Sequence, residues 1–350
     1  MKVVENRKGG SMLPGRVRTE GKKFIVNGKE IWMNGVNTPW KDWDEFGKCF
    51  DKEYWSQHYK ELKEAGINSS RVWITCSGDV GMEIDENGFV KGATPKHWQD
   101  VEALFEIAEA NGIYVMATLM SFDHFKDENA NHKRYRAMIQ NEEAIQSYID
   151  NYVIPFCEKF GKYNSLWSID MCNEPDWILE NPQCGGLDWK YMDMLFSRVA
   201  AAIHEHSDVL VTLGIAIVKY NSEAYQGDHG SDACLQKAYA NKNAYLDFYS
   251  THYYEWMAPS FGIPFDKTPE EFKLVTDKPV LIGEFPAHGL SGEEKGSKPM
   301  NTVECYLGCL ENGWQGIMAW TSSGIDRCGN MDDIRPAAQA VREKVPEQIF

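Results

Sequence analysis

Residues 97–119 read HWQDVEALFEIAEANGIYVMATL, and within this stretch the hydrophobic pattern changes its period. Apolar residues up to position 110 recur every three to four positions, which predicts an amphipathic helix, and Gly112 is a typical helix end. The following run, residues 113–119, is short, apolar and rich in strand-forming residues, which predicts a buried strand. A helix that leads into a buried strand is the repeating unit of an α/β fold.

The same alternation extends in both directions along the chain. Strand-like runs occupy residues 31–36, 70–74, 113–119, 166–171, 209–213, 246–251, 279–283 and 316–320. Helical patterns follow them, for example at residues 53–66, 142–161 and 193–207. Eight such units favour a closed (β/α)8 TIM barrel, and the competing doubly wound sheet would carry a Gly-rich nucleotide turn that the sequence lacks. We predict one catalytic domain over residues 1–350, with an N-terminal β-hairpin at residues 17–31 that turns at Asn27-Gly28.

Composition limits the partners of this fold. The 52 acidic and 36 basic side chains give a formal net charge of -16, which disfavours nucleic acid and anionic membrane surfaces. Twelve tryptophans suit a neutral ligand with flat apolar faces, such as a sugar ring. The sequence contains no transmembrane-length apolar run and no recognisable signal peptide, so we expect a cytoplasmic protein, or a secreted one if a leader was removed. The oligomeric state is left open.

Metal and disulfide patterns are weak. Nine cysteines lie scattered without a CxxC pair, which favours free thiols in a reducing compartment. Cys305 and Cys309 share a helix face but lack further ligands, and His204 and His206 point in different directions on a helix. Asp123 and His124 lack the additional ligands of a metal-dependent hydrolase, and no GxSxG motif indicates an esterase. We therefore predict no metal site.

Two predicted strands end at a glutamate. The fourth reads LWSIDMCNEPDW over residues 166–177, and the seventh reads VLIGEFPAHG over residues 280–289. The carboxyl ends of barrel strands form the active-site face, so Glu174 and Glu284 would look into the same mouth. Glycosidic cleavage needs two such carboxyl groups, one to protonate the leaving oxygen and one to attack the anomeric carbon or activate water.

Other strand ends supply polar and aromatic companions. Arg71 in RVWI would hold Glu284 ionised. His252 and Tyr254 in STHYYEW are two positions apart in a strand-like run, so their side chains point to the same side. The Tyr254 hydroxyl could bind the second oxygen of Glu284 if that carboxylate is the nucleophile. Asn173 is a candidate to donate a hydrogen bond to a sugar hydroxyl, and Trp320 is a candidate to pack under the sugar ring. Candidates for the side walls of the sugar-binding cleft are Trp177, Trp189 and Trp256.

This set resembles glycoside hydrolase family 5, of the clan A retaining barrel glycosidases, and the resemblance spans nearly the whole chain. It implies Glu174 as acid/base, Glu284 as nucleophile, and no metal or organic cofactor. His124 in LMSFDHF matches a position where many members carry a substrate-binding histidine; a loop histidine bonded to its own turn is the alternative.

Wider phrases such as NGVNTPW and GINSSRVWI resemble the mannan-active members of this family. They favour a β-mannosidase-like enzyme that cleaves β-1,4-mannosidic bonds in short oligosaccharides, with mannosyl-β-1,4-N-acetylglucosamine as one candidate substrate. The alternatives are an endo-acting β-1,4-mannanase or β-1,4-glucanase and, more distantly, a non-catalytic sugar-binding barrel. A neutral oligosaccharide is the expected partner in each case.

Overall fold

The computed structural model describes residues 11–222, 224–225 and 227–349. In chain order the strands are β1 (Arg18–Glu20), β2 (Lys23–Val26), β3 (Lys29–Ile31), β4 (Met33–Asn37), β5 (Ser69–Trp73), β6 (Met82–Ile84), β7 (Val90–Ala93), β8 (Tyr114–Thr118), β9 (Leu166–Asn173), β10 (Leu210–Ile215), β11 (Asn221–Ser222), β12 (Gly227–Asp228), β13 (Tyr249–His252), β14 (Val280–Pro286) and β15 (Gly316–Trp320). The helices are α1 (Lys52–Ala65), α2 (Pro95–Asn111), α3 (His132–Ile139), α4 (Glu142–Tyr148), α5 (Ile154–Phe160), α6 (Asp176–Glu180), α7 (Trp189–His206), α8 (Asp232–Ala238), α9 (Ala258–Phe261), α10 (Thr302–Glu311) and α11 (Met331–Lys344).

Eight of these strands close into one parallel barrel in the order β4, β5, β8, β9, β10, β13, β14, β15, with β15 pairing back onto β4. Each barrel strand is followed in the chain by at least one helix. The predicted (β/α)8 barrel is therefore confirmed. Two short hairpins, β6–β7 and β11–β12, are insertions after the second and fifth barrel strands. The assignment of residues 1–350 to a single domain stays a prediction, because residues 1–10 lie outside the described part of the chain.

A small antiparallel sheet closes the end of the barrel where the strands begin. Phe24 of β2 is fully buried there and packs edge-on against Trp167 and Phe248, with ring centroids 5.3 and 5.1 Å apart. Strands β2 and β3 meet at Asn27 and Gly28, whose φ angles of 51° and 76° are those of a primed hairpin turn. The predicted hairpin is present, and β1 extends it to a three-stranded sheet.

Helix boundaries follow local capping chemistry. At the start of α1, the Asp51 side chain accepts two backbone N–H groups of the first turn, and α2 begins with Thr94 as cap and Pro95 as first residue. Both helices end at a glycine in the left-handed region, Gly66 at φ 93° and Gly112 at φ 68°. These two ends were predicted from the sequence.

Residues 142–161 differ from the single helix that their periodicity predicts. The structure has α4, then a π-helical turn at Ile149–Val153, then α5. Pro155 lacks an N–H and cannot continue the α-helical hydrogen-bond ladder, so the helix widens before it. The Ile154 N–H accordingly reaches back to the Ile149 carbonyl.

Strand β14 continues two residues beyond Glu284, whereas the sequence predicts that it stops before this residue. Phe285 and Pro286 still pair with Ala319 and Trp320 of β15. The register shifts between Ile282 and Phe285, so the irregularity surrounds Glu284 and sets the direction of its side chain.

Among the described residues, no helix combines the length and apolar character that crossing a membrane requires. The cytoplasmic location expected from the sequence stays a prediction.

Candidate active site

Glu174 follows β9 at the carboxyl end of the barrel. Its φ of 48° is unusual for a residue other than glycine, and its N–H donates to the Gly214 carbonyl of β10 at 2.7 Å. A left-handed residue of this kind persists only where its surroundings hold it. The turn directs the carboxyl group into the mouth of the barrel, where Oε2 accepts the Trp177 indole N–H at 2.9 Å.

Glu284 lies inside β14 and is 3% exposed. Arg71 Nη1 donates to its Oε1 at 2.5 Å, and the Tyr254 hydroxyl donates to its Oε2 at 2.8 Å. Both partners were predicted from the sequence. They fix both carboxylate oxygens, so the group can present a lone pair towards the cleft without rotating.

Arg71 is fully buried on β5 and is held by more than Glu284. Its Nε and Nη2 donate to Oδ2 of Asp170 at 3.0 and 2.6 Å, and its other donors reach Asn37 and Asn173. A buried guanidinium requires such complete pairing, because an unpaired buried charge is costly. Sequence reasoning missed Asp170, although a lone aspartate within the apolar run LWSIDM was a visible signal.

Gly214 is a second residue that the sequence analysis missed. A Cβ at this position would lie 2.7 Å from Arg71 Nη2 and 2.8 Å from His252 Nε2. Its N–H also donates to Asp170 Oδ1 at 2.9 Å. The missing side chain therefore leaves room for the arginine and the histidine beneath the two carboxyl groups.

His252 lies between the two glutamates at the end of β13. Its Nδ1 is 2.9 Å from Glu174 Oε1 and 3.5 Å from Glu284 Oε1. Burial lowers the pKa of this ring to about 4, so it is neutral near pH 7. With Nδ1 facing two acidic oxygens, the ring can donate to Glu174 when that group is ionised.

The two glutamates have different surroundings. Burial raises the pKa of Glu174 to about 7, against the charge of Arg71 and the hydrogen bond from Trp177. Burial also raises the pKa of Glu284, and the charge of Arg71 together with its hydrogen bond opposes that rise. Because Arg71 forms its ion pair with Glu284, the negative charge of the pair is favoured on Glu284 and the shared proton on Glu174.

The two glutamates lie in a cleft with a volume of about 620 Å³, and aromatic side chains line it. Trp320 is 7% exposed and packs against Trp73 at 5.1 Å and Trp40 at 6.1 Å, which makes a firm floor. Trp177 and Trp256 lie 6.1 Å apart on the opposite side. The placement of Trp320, Trp177 and Trp256 at the cleft agrees with the sequence, while Trp40, Trp43 and Trp73 were missed.

Two candidates from the sequence do not reach the cleft. His124 is fully buried: Nδ1 accepts the Ser121 N–H at 3.2 Å and Nε2 meets Thr75 Oγ1 at 2.9 Å. It therefore supports its own turn, the alternative that the sequence left open. Trp189 is the first residue of α7 rather than part of a loop, and it stacks on Tyr220 at 4.6 Å, away from the cleft.

His204, which the sequence analysis did not accept as a metal ligand, has a structural role. His204 lies between the Asn243 carbonyl at 2.8 Å and the Asp247 carboxylate at 2.9 Å. Cys305 and Cys309 are free, buried thiols. At the active site, one oxygen of each glutamate and a His252 nitrogen lie within 4.8 Å of one another, but Arg71 already supplies the positive charge there.

Known proteins share this architecture. Residues 17–75 match the family described as "Glycosyl hydrolases family 2, TIM barrel domain". A mannan endo-1,4-beta-mannosidase of Mytilus edulis is 26% identical over 339 residues, which cover 89% of each chain. The Cryptopygus antarcticus protein of the same name is 24% identical over 90% of this chain and 86% of its own. The solved structure of a beta-1,4-mannanase from Aplysia kurodai superposes with a TM-score of 0.81 at 23% identity, covering 94% of this chain and 97% of the other.

The chain is a glycoside hydrolase. Its barrel and its pair of glutamates at the carboxyl ends of β9 and β14 agree with that class. The matching family is described as family 2, and the match covers only residues 17–75, which is less than half of the chain. Membership of family 5 therefore stays a prediction. The residue roles are also predictions at this point.

Proposed function

We propose that this hydrolase is a retaining endo-β-1,4-mannanase with Glu284 as nucleophile and Glu174 as acid/base. The observation that carries the chemistry is the closeness of the two carboxyl groups: one oxygen of Glu174 and one of Glu284 lie within 4.8 Å of each other, and His252 Nδ1 is 2.9 Å from the first group and 3.5 Å from the second. Retaining glycosidases hold their carboxyl groups about 5–5.5 Å apart, whereas inverting enzymes need about 6.5–9.5 Å to admit a water molecule. The spacing supports direct attack by Glu284.

In the first step, a Glu284 oxygen forms a bond to the anomeric carbon while the bond from that carbon to the glycosidic oxygen breaks. Glu174 gives its proton to this oxygen, so the leaving chain departs as an alcohol. In the second step, Glu174 takes a proton from water, the resulting hydroxide attacks the same carbon, and Glu284 is released. Two inversions restore the β configuration.

His252 and Trp177 serve the change of role of Glu174. Trp177 donates to Oε2 of this group at 2.9 Å, and His252 Nδ1 lies 2.9 Å from Oε1, where it can donate once Glu174 is ionised. They stabilise the carboxylate that forms once the proton has left. Arg71 and Tyr254 do the same for Glu284 before the first step and after the second, when it is a free carboxylate.

The endo mode replaces the exo mode that the sequence favours. Both curated relatives carry the name endo-1,4-beta-mannosidase and align over most of the chain. The cleft is also lined from several directions, since Trp40 and Trp43 follow β4, Trp177 follows β9, and Trp256 follows β13. Aromatic walls on several sides of the carboxyl pair suit a sugar chain that extends beyond one ring.

The deciding experiment measures kcat/KM on mannose oligomers of two to six units, with the products resolved at early times. An endo enzyme gains from remote sugars, so kcat/KM rises steeply with chain length, internal products appear, and mannan viscosity falls quickly. Cellulose oligomers of equal length are the matched control for the sugar. A flat series with mannose as the only early product would restore the exo β-mannosidase interpretation, with mannosyl-N-acetylglucosamine as the next substrate to compare.

Stereochemistry tests the mechanism separately. Proton NMR of the first-formed reducing sugar should show the β anomer, which later equilibrates with the α anomer. Initial release of the α anomer would contradict the assignment of Glu284 as nucleophile. Binding of mannan without any turnover would instead favour the sugar-binding barrel.

A further inference from the structure

Three potential metal ligands meet on the side of the barrel, outside the cleft. Asp193 lies on α7, His229 follows β12, and Cys234 lies in the first turn of α8. One ligand atom of each, a carboxylate oxygen, an imidazole nitrogen and a sulfur, lies within 4.8 Å of the other two. None of the three lines the cleft, and the glycosidase mechanism uses none of them.

The distances are close to those around a tetrahedral zinc ion. His229 Nδ1 is 3.1 and 3.3 Å from the two Asp193 oxygens and 4.0 Å from Cys234 Sγ. Zinc bonds of about 2.0–2.1 Å to nitrogen or oxygen and 2.3 Å to sulfur separate neighbouring ligand atoms by roughly 3.3–3.6 Å. Small side-chain adjustments would therefore place all three atoms on one ion.

Neighbouring aromatic rings hold the histidine in this orientation. The His229 ring packs on Trp189 at 4.5 Å, and Trp189 in turn stacks on Tyr220 at 4.6 Å with an interplanar angle of 9°. These contacts keep Nδ1 directed towards Asp193 and Cys234; on zinc binding Nδ1 would give up the proton that it donates to Asp193, and Nε2 would carry the ring proton. A ligand histidine needs such support to fix its tautomer and direction.

We propose that Asp193, His229 and Cys234 bind one Zn²⁺ ion, with a water molecule as fourth ligand. A set of one thiolate, one imidazole and one carboxylate suits zinc and disfavours Mg²⁺ and Ca²⁺, which prefer oxygen. The side chains of His229 and Asp193 are 23% and 16% exposed, so the ion can enter from solvent and keep a water ligand. The thiol loses its proton to solvent on binding, and the two anionic ligands then balance the charge of the ion.

The ion would join α7 to the segment that carries α8. His229 and Cys234 lie in the segment between β10 and β13, which already contacts α7 through α8 and through the hydrogen bonds of His204 and Glu205 with Asn243. Zinc binding to the folded state alone raises the apparent stability, because the unfolded chain lacks the assembled site. The proposal therefore predicts a higher melting temperature in the presence of Zn²⁺.

The test uses the full chain, stripped with a chelator and kept reduced with a phosphine. Titration with ZnCl₂ in a calorimeter should give one site per chain, and CoCl₂ should produce a thiolate-to-cobalt charge-transfer band in the near ultraviolet. Cys234→Ser and Asp193→Asn should each weaken zinc binding by about 100-fold or more and abolish the zinc-dependent rise in melting temperature. MgCl₂ should cause no rise.

Cys49→Ser is the matched control, since Cys49 is an exposed thiol on another part of the surface. It should bind zinc and cobalt as the unsubstituted protein does. Circular dichroism establishes that each variant is folded, and His229→Gln replaces any variant that is not. The proposal is overturned if the unsubstituted protein shows no one-to-one zinc site, or if Cys234→Ser retains the same zinc affinity and the same cobalt spectrum.

Discussion

Replacing Trp177 by Phe removes one hydrogen bond from the proposed acid/base and keeps an aromatic ring at the cleft wall. The lost donor is the indole N–H, which lies 2.9 Å from Glu174 Oε2. A donor of this kind favours the ionised carboxylate and so lowers its pKa. Its removal should raise the pKa of Glu174, and the enzyme should keep its general acid protonated to higher pH.

The size of the shift follows from the strength of such bonds. A hydrogen bond to a charged group contributes about 1.5–3 kcal/mol, and one pKa unit corresponds to about 1.4 kcal/mol. The Glu174 side chain is 13% exposed, so water can replace part of the lost interaction. We expect a rise of about one unit. Burial places the pKa of Glu174 at about 7 in the unsubstituted protein, so the basic limb of the pH profile should move from near pH 7 to near pH 8.

The measurement is kcat/KM on a mannose oligomer across the pH range, because this ratio reports the ionisations of the free enzyme. Trp256→Phe is the matched control: Trp256 lines the same cleft and packs near Trp177, yet its indole donates to neither glutamate among the described residues. Its basic limb should stay in place even if binding weakens. A basic limb that is unchanged in Trp177→Phe, or displaced to lower pH, would refute the role of this hydrogen bond and the assignment of the limb to Glu174.

Three further predictions follow from the same geometry. Glu284→Gln and Glu174→Gln should each lower turnover by several orders of magnitude; Glu174→Gln should keep the melting temperature within a few degrees, whereas Glu284→Gln also removes a buried ionic partner of Arg71 and should lower it further, and retained activity in either would mean that another carboxyl group reacts. Asp170→Asn should destabilise the protein by about 3–5 kcal/mol in urea unfolding, because Arg71 loses a buried ionic partner; a loss under about 1 kcal/mol would show that the buried network relaxes. Phe24→Ala should cost about 3–5 kcal/mol of stability with kcat/KM unchanged at moderate temperature, since Phe24 packs at the far end of the barrel; a selective loss of activity would contradict this separation.

Much of the fold was predictable because it depends on local properties of the chain. The alternation of strand and helix patterns identified all eight barrel strands, and the glycine ends of α1 and α2 required only neighbouring residues. The glutamates were identifiable because each ends or interrupts an apolar run at the carboxyl end of a strand. The order of strands and helices in a barrel is the same whatever the substrate. A glutamate at a strand end therefore indicated the active-site face, but it did not indicate whether cleavage is endo or exo.

The network beneath the glutamates depended on the closed barrel. Arg71 and Asp170 lie 99 positions apart in sequence, yet they share a hydrogen bond of 2.6 Å because β5 and β9 both flank β8. Barrel strands are buried on both faces, so their sequences show no alternation of polar and apolar residues that would indicate which side chains point into the barrel. For this reason Asp170 was missed. The sequence by itself determined the barrel fold and identified the two glutamates that we propose as the reacting groups. Only the tertiary structure decided that His124 faces its own turn and that Trp177 binds Glu174. Each of these hydrogen bonds spans three positions in sequence, but the two side chains also contact distant segments, His124 through Thr75 and Trp177 through Trp256.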